Sequence, residues 1–482
     1  MSNGTLQLQR FNVFIMRISK ILTSCTLAVV TASEFQPEEI ITRDVCILGG
    51  GATGSYAAVQ LVERGYSVAV VEQKDRLGGH SETLYLLNGD LIDYGIRTYF
   101  NDSVVRNFFD QLQVEYEQYI PAANRTDRVN FRTGERVRNE PYTEDPTPAL
   151  LRYRAALEQF DYLSTGGFYL PDEVPEVLLR SFREFVDAND LHDALFVIWT
   201  FSEALGDILE TPLLFVLQLF GTPHINGVLQ GYIRPRNGSA TTFRAAARYI
   251  GESNILYRST AVQTIRNSTG VQLVAENADG VQKLIRARKL LIAFPPILPK
   301  LRGFDLEATE LALFRKWIYT PYYAAIVKGS GIPDEINVVN TDPGQPGSFP
   351  VPPYECILDY SGVAGYYRTR LVGNESFTEE DAQQLVLDDL RRMGDAGTYP
   401  INEKPEIIAF ESHWPTSIMV PVDDVRDGFY RELYALQGQR STYYTGYAFY
   451  TDYSTQLWNY TRTIVDMMTA ELGISTNSNG EM

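Results

Sequence analysis

Residues 44–80 read DVCILGGGATGSYAAVQLVERGYSVAVVEQKDRLGGH, and this stretch decides the fold. Val45–Leu48 is a short apolar run of the kind that forms a strand buried on both faces. Three glycines stop it. Gly49, Gly51 and Gly54 form G-x-G-x-x-G: the first permits a tight turn, the second lets backbone approach a pyrophosphate, and the third lets helix and strand pack closely. Ala57, Ala58, Leu61 and Val62 recur at helical spacing up to Gly65, a typical helix stop, and Val68–Val71 is a second apolar run. Strand, glycine turn, helix and strand within about 30 residues make a βαβ unit. Its helix N-terminus offers unpaired N–H groups and a positive dipole end to phosphates. Glu72 follows the second strand, where an acid hydrogen-bonds the adenosine ribose and repels a 2′-phosphate. The segment predicts a dinucleotide site, with NADP disfavoured.

The rest of the chain sets the context. Its 482 residues amount to roughly two to three domain-sized units. Hydrophobic residues at 44% and charged residues at 21% are ordinary for a folded protein. A net charge of −18 argues against nucleic acid as a partner, because phosphate binding needs a basic face. The 30 tyrosines favour apolar pockets with polar edges. The three cysteines do not make a disulfide framework, and Cys46, inside the first apolar run, reads as a small buried residue. The four histidines are dispersed and no zinc-type spacing occurs, so no metal centre is expected.

Residues 16–33, MRISKILTSCTLAVVTAS, place Arg17 and Lys20 ahead of an apolar run and small residues at Ala32 and Ser33. That is the layout of a secretory signal peptide, starting at Met16 or at Met1. The apolar run is too short to span a bilayer, and no integral membrane span is expected. Beyond Asn3, glycosylation sequons occur at Asn101, Asn124, Asn237, Asn267, Asn374 and Asn459. N-glycans at several of these and a secreted or secretory-lumen location follow as expectations.

Further along, 103–113 reads as a helix and 128–137 as a hairpin turning at Thr133–Gly134. From 146 to 221 the pattern is mostly helical. Its densest run, 195–221, is broken by Gly206 and Pro212 and carries Glu203, Asp207 and Glu210, so it reads as core or pocket-lining helices. An alanine-rich helix at 239–249 precedes three strand-like pieces, 254–267, 271–277 and 283–294, with a hairpin at Asn277–Gly280. The chain closes on a strand at 441–449 and a helix at 452–473.

The residues after the βαβ unit separate FAD from NAD. Glu72, Arg76, Gly78 and Gly79 match the acid-x-x-x-R-x-G-G signature, and the segment resembles the flavin amine oxidase superfamily. Gly-Gly-His at 78–80, followed by LIDYGIRTYF at 91–100, is similar to the fungal β-cyclopiazonate dehydrogenase branch of that superfamily. His80 stands where the wider superfamily has an arginine, which removes a charge contact. The resemblance extends to 259–265 with 287–296, where Val262 would contact adenine by its backbone. It extends also to 443–468, where Gly446 would pass close to the flavin ahead of a helix N-terminus. The cofactor implied is FAD, held non-covalently, since no cysteine lies in that closing segment. The fold implied is α/β: a Rossmann-type FAD-binding domain, discontinuous over 44–130, 236–300 and 405–475. An inserted mixed α+β substrate domain would cover 131–235 and 301–404.

The resemblance implies hydride transfer from a small, largely apolar metabolite to flavin N5: a dehydrogenation, with or without ring closure, in fungal secondary metabolism. Only one dinucleotide fingerprint is present, so molecular oxygen is the expected electron acceptor. Two alternatives stand beside it, a flavin-dependent double-bond isomerase of a fatty acid or polyene and a binding protein with a vestigial flavin domain. No catalytic residue is identified. Tyr94, Arg97 and Tyr99 either face substrate or alternate into the core. His80 is either an acid/base or a hydrogen-bonding neighbour of the cofactor. His413 and Trp414 either line the pocket or pack structurally.

Overall fold

The computed structural model describes residues 35–120, 124–138 and 145–473. The signal-like segment 16–33 and Asn3 lie outside these residues. Strand β1 (Ile40–Leu48), helix α1 (Ala52–Glu63) and strand β2 (Val68–Val71) form the expected βαβ unit, with β1 and β2 parallel in the register Val45–Val68 to Leu48–Val71. Val45, Cys46 and Ile47 are wholly buried, as a strand covered on both faces requires. β2 pairs in parallel with Ile255–Leu256, β1 pairs in parallel with Gln282–Ile292, and the end of that strand pairs in parallel with Thr442–Tyr444. Five parallel strands therefore come from four distant parts of the chain. The first half of Gln282–Ile292 instead takes the antiparallel strand Gly270–Asn277, which continues into Ser259–Asn267.

The sequence pattern 254–267 reads as one strand, yet it is two. Arg258 adopts φ +50°, so Ile255–Leu256 joins the parallel sheet and Ser259–Asn267 turns away into the antiparallel hairpin. Continuous β-branched composition hid the break. The expected closing strand is also shorter, Thr442–Tyr444, and the chain from Thr445 to Tyr453 is irregular and mostly buried before helix Ser454–Leu472.

A second seven-stranded sheet runs, edge to edge, Glu406–Ser412, Tyr322–Lys328, Tyr366–Val372, Tyr354–Tyr360, Ile336–Asn340, Arg125–Asn130 and Glu135–Arg136. The ranges 44–130 and 405–475 drawn from sequence each contribute a strand to this sheet, Arg125–Asn130 from the first and Glu406–Ser412 from the second. One face of the sheet packs on helix Glu379–Asp395, burying Tyr367, Leu371, Val386, Leu390 and Met393. Side chains alternate across a strand, so Arg368 and Arg370 emerge on the other face.

A helical layer completes the fold, with helices Leu195–Ser202, Leu213–Leu219 and Thr222–Gln230 among its members. Leu213, Leu214 and Val216 are fully buried, each contributing about 1.5–3 kcal/mol of apolar transfer. No helix among the described residues is long and apolar enough to cross a membrane.

Candidate active site

The two glycine turns meet face to face. A Cβ placed on Gly54 would lie 1.8 Å from the Gly49 carbonyl oxygen, and one on Gly79 would lie 3.0 Å from Gly51 Cα. Gly78 N–H donates to the Gly50 carbonyl at 2.9 Å, fastening one turn to the other. Glu72, almost wholly buried, accepts from the Gly50 N–H at 2.6 Å and from the Lys74 N–H at 2.7 Å. Burial pushes its carboxyl up, against the pull of these donors. The first turn of α1 presents its unpaired N–H groups beside these glycines.

A cavity of about 960 Å3 opens from this cradle. Gly49, Gly51, Glu72, Gly78, Gly79, His80, Val262 and Gly446 all line it. Val262 sits at a bulge: the ladder steps from Ala261 to Gln263 and leaves Val262 outside the strand pairing. Its backbone is thereby free of the ladder and turned to the cavity. Gly446 has φ +107°, and a Cβ there would first meet the Ala293 carbonyl oxygen at 3.7 Å. These features fit a dinucleotide: close-packed glycine backbone, an acid beside it, and an unpaired edge further along.

Two signature residues do not face the cavity. Gly54 serves helix–strand packing. Arg76 forms an ion pair with Glu82, lies 3.9 Å from Glu411 and is not part of the cavity wall. The guanidinium ties the glycine turn to the second sheet instead. Lys74, which does line the cavity, bridges the same acids at 2.8 and 2.9 Å.

The strand-like segment after Asp93 divides. Tyr94 and Arg97 line the cavity, whereas Tyr99 is fully buried and stacks on Trp458 with centroids 5.2 Å apart. His80 and His413 both line the cavity and stack on each other, and Trp414 joins them in the wall.

Part of the cavity wall is charged. Arg97 and Arg368 both bind Asp359, at 2.8 and 3.0 Å. Arg370 binds the buried Glu203 at 3.1 Å, and Tyr322 donates to the same carboxylate at 3.2 Å. Register explains the assembly. Asp359 pairs with Arg368 across one strand boundary, and Arg370 sits between Ile357 and Ala324, so one sheet face carries these three, and Arg97 and Glu203 reach them from outside the sheet. Burial works against the Asp359 charge, but Arg368 and Arg97 win and hold its carboxyl low. Asp452 completes the floor from the crossing segment after Gly446.

Residues 47–112 match a family profile described as an NAD(P)-binding Rossmann-like domain. The chain is 38% identical over 454 residues to β-cyclopiazonate dehydrogenase of Aspergillus oryzae, spanning 94% of this chain and 99% of that protein. It is 31% identical to the FAD-dependent oxidoreductase oblC of Cochliobolus heterostrophus, over 93% of this chain and 95% of that one. Among solved structures, a conjugated-linoleic-acid-producing fatty acid isomerase from P. acnes superposes with a TM-score of 0.69 at 19% identity, covering 88% of this chain and 98% of that one. Cyclohexylamine oxidase from Brevibacterium oxydans gives 0.62 at 17%, covering 89% and 99%. These structures share the fold, and the sequence relatives extend over almost the whole length. The chain belongs to the β-cyclopiazonate dehydrogenase family of FAD-dependent oxidoreductases.

Proposed function

We propose that this oxidoreductase dehydrogenates a small metabolite of fungal secondary metabolism, one with an apolar body and a polar group, and that molecular oxygen reoxidises the cofactor. The observation that carries the reading is the continuity of one cavity from the double-glycine cradle to the Arg97–Asp359–Arg368 and Glu203–Arg370 floor. Bound FAD supplies a two-electron acceptor. The chain supplies position and electrostatics. N–H groups of Gly51, Ala52 and Thr53 would take the pyrophosphate, Glu72 the ribose hydroxyls and the Val262 backbone the adenine edge. The open backbone at Gly446 would leave room for the ring system. His80 and Tyr447 would close the walls against water, and the charged floor would orient the polar end of the substrate.

The test begins with the absorption spectrum of the purified protein, followed by anaerobic mixing with β-cyclopiazonate, the compound named by its relatives. Flavin bleaching, then hydrogen peroxide on admitting air, is the expected result. Isomerised product without net bleaching or peroxide would replace this reading with the isomerase one. A protein without flavin absorbance would leave a binding role.

We further propose passage through the secretory pathway. In support, Asn101, Asn237, Asn267 and Asn374 are exposed. A mass loss on peptide N-glycosidase treatment of the natural protein, together with a new N-terminus near residue 34, would be seen if this holds. An unglycosylated protein starting at Met1 or Met16 would end it.

A further inference from the structure

Four carboxylates line the cavity: Glu72, Glu203, Asp359 and Asp452. The first three are held by backbone N–H groups, by Arg370 and Tyr322, and by Arg97 and Arg368. Asp452 has no hydrogen bond or ion pair among the described residues. Its neighbours, by contrast, are locked. Thr451 N–H donates to the Gly166 carbonyl at 2.8 Å, and the Thr451 hydroxyl bonds the Gln218 carbonyl. The Tyr453 ring stacks on Phe100 at 4.1 Å, packs edge-on to His224 at 4.9 Å, and its hydroxyl lies 3.4 Å from that of Thr98. The backbone is thus pinned on both sides while the carboxylate between them points into the cavity. Asp452 is solvent-exposed and lines the cavity.

When a ligand fills the cavity this carboxylate loses its hydration, a cost that no residue beside it offsets. A partner arriving with the substrate would. We infer that Asp452 is the proton acceptor of the dehydrogenation, taking the hydrogen that leaves the substrate as a proton. The inference rests on the oxidoreductase reading and assigns a residue to it. When an H–C–X–H unit becomes C=X, one hydrogen leaves with its bonding pair for the flavin. The other leaves as a proton for the Asp452 carboxylate, which later releases it to water. Two electrons and two hydrogens are accounted for.

The surroundings suit the task. Glu203 faces Asp452 from the helical layer and carries its own cation, Arg370, together with the Tyr322 hydroxyl. Tyr447 and Tyr453 flank Asp452 on its own segment, and Arg97 and His224 lie next to Tyr453. Burial first, and the Glu203 charge second, push the Asp452 carboxyl up to about 7. Paired and unpaired carboxylates side by side divide the roles: one orients and one exchanges a proton.

The experiment compares FAD-loaded wild type, Asp452→Asn and Asp452→Glu. Reduction of the flavin by β-cyclopiazonate should rise with pH through about 7 in the wild type. Asp452→Asn should lower it by about 100-fold or more and lose that limb. Asp452→Glu should recover part of the rate with the limb moved, and FAD affinity and spectrum should stay as in wild type. An Asn variant within threefold of wild type and with the same pH limb overturns the proposal. A substrate-independent readout accompanies it: an infrared carboxylic-acid C=O band at pH 6 that Asp452→Asn removes. Absence of that band also overturns the proposal. A wild-type flavin that β-cyclopiazonate does not bleach defeats the substrate reading alone, and the infrared band then decides this one.

Discussion

The imidazole rings of His80 and His413 stack in parallel, with centroids 4.2 Å apart and planes 9° from coplanar orientation. Two imidazolium ions cannot share that contact. Burial first, then the charges of Lys74 and Arg76, hold His413 down to about 3, and burial followed by His413 itself keeps His80 well below its ordinary value. Both rings are neutral at physiological pH, so neither supplies an acid limb to the pH–rate profile. His413→Phe should leave the shape of that profile between pH 5 and 8 unchanged, as measured by anaerobic flavin reduction.

The same pair makes stability depend on pH. A histidine depressed in the folded state binds its proton in the unfolded state first, so stability is present above pH 6.5 and falls as pH drops below it. The loss is about 1 kcal/mol per pH unit for His413. Urea unfolding at pH 7 and pH 5.5 should show a smaller difference for His413→Phe than for wild type.

Lys300 lines the cavity near His80 and Glu72 and has no carboxylate ion-pair partner among the described residues. Its ammonium lies 5.4 Å from the Trp414 ring centre. We expect it to supply the cation that His80, in place of arginine, withholds from the cofactor phosphates. Lys300→Gln should weaken FAD binding about tenfold while leaving riboflavin binding unchanged, and Lys300→Arg should restore it. Burial lowers the ammonium to about 8, so FAD affinity of the apoprotein should decline above that pH.

The glycines differ sharply in tolerance. Gly54→Ala forces a Cβ against a backbone oxygen at 1.8 Å and should give a protein without flavin absorbance. Gly446→Ala meets nothing nearer than 3.7 Å and pays only for its positive φ, so a partly flavinated protein is expected. Flavin-to-protein absorbance ratios separate the two.

How far the sequence could be read follows from this contrast. Gly49, Gly51, Gly54, Glu72 and the second glycine pair act within one continuous stretch, and local chemistry exposes them. The floor is different. Asp359, Arg368 and Arg370 come together with Arg97 and Glu203 only through strand register and the placement of a helix over the sheet. Each is an isolated charge in an apolar run, as in CILDY and YYRTRLV. That was the available signal: a charge on a strand whose alternate residues are buried must face a partner or a ligand. The motif position of Arg76 says nothing of its ion pair with Glu82, six residues on.

Arg266 offers a stability test away from the cavity. Its fully buried guanidinium binds Asp305 at 2.9 Å and Glu310 at 2.7 Å, joining the antiparallel hairpin to the chain that enters the second sheet. Arg266→Ala leaves Asp305 and Glu310 with Arg440 as their remaining cation and should cost about 3 kcal/mol in chemical denaturation. Burial opposes both carboxylate charges, yet Arg266 keeps both low. Their contribution is therefore complete above about pH 4.5 and is lost as pH falls through their lowered values.

The parallel sheet draws its last strand from Thr442–Tyr444, some 400 residues after its first. While the chain is being synthesised, β1, α1 and β2 emerge early, but the strand Gln282–Ile292 lacks its second parallel neighbour until Thr442–Tyr444 has been made. The pocket has no Gly446, Asp452 or closing helix before then. Assembly is governed by contacts of the longest sequence separation, which form slowly. Termination anywhere before residue 454 leaves an incomplete parallel layer or an unsealed cavity, so FAD capture is expected to follow synthesis of Ser454–Leu472. Cofactor loading in this protein is thereby expected to report that the chain has been made through its closing helix, Ser454–Leu472.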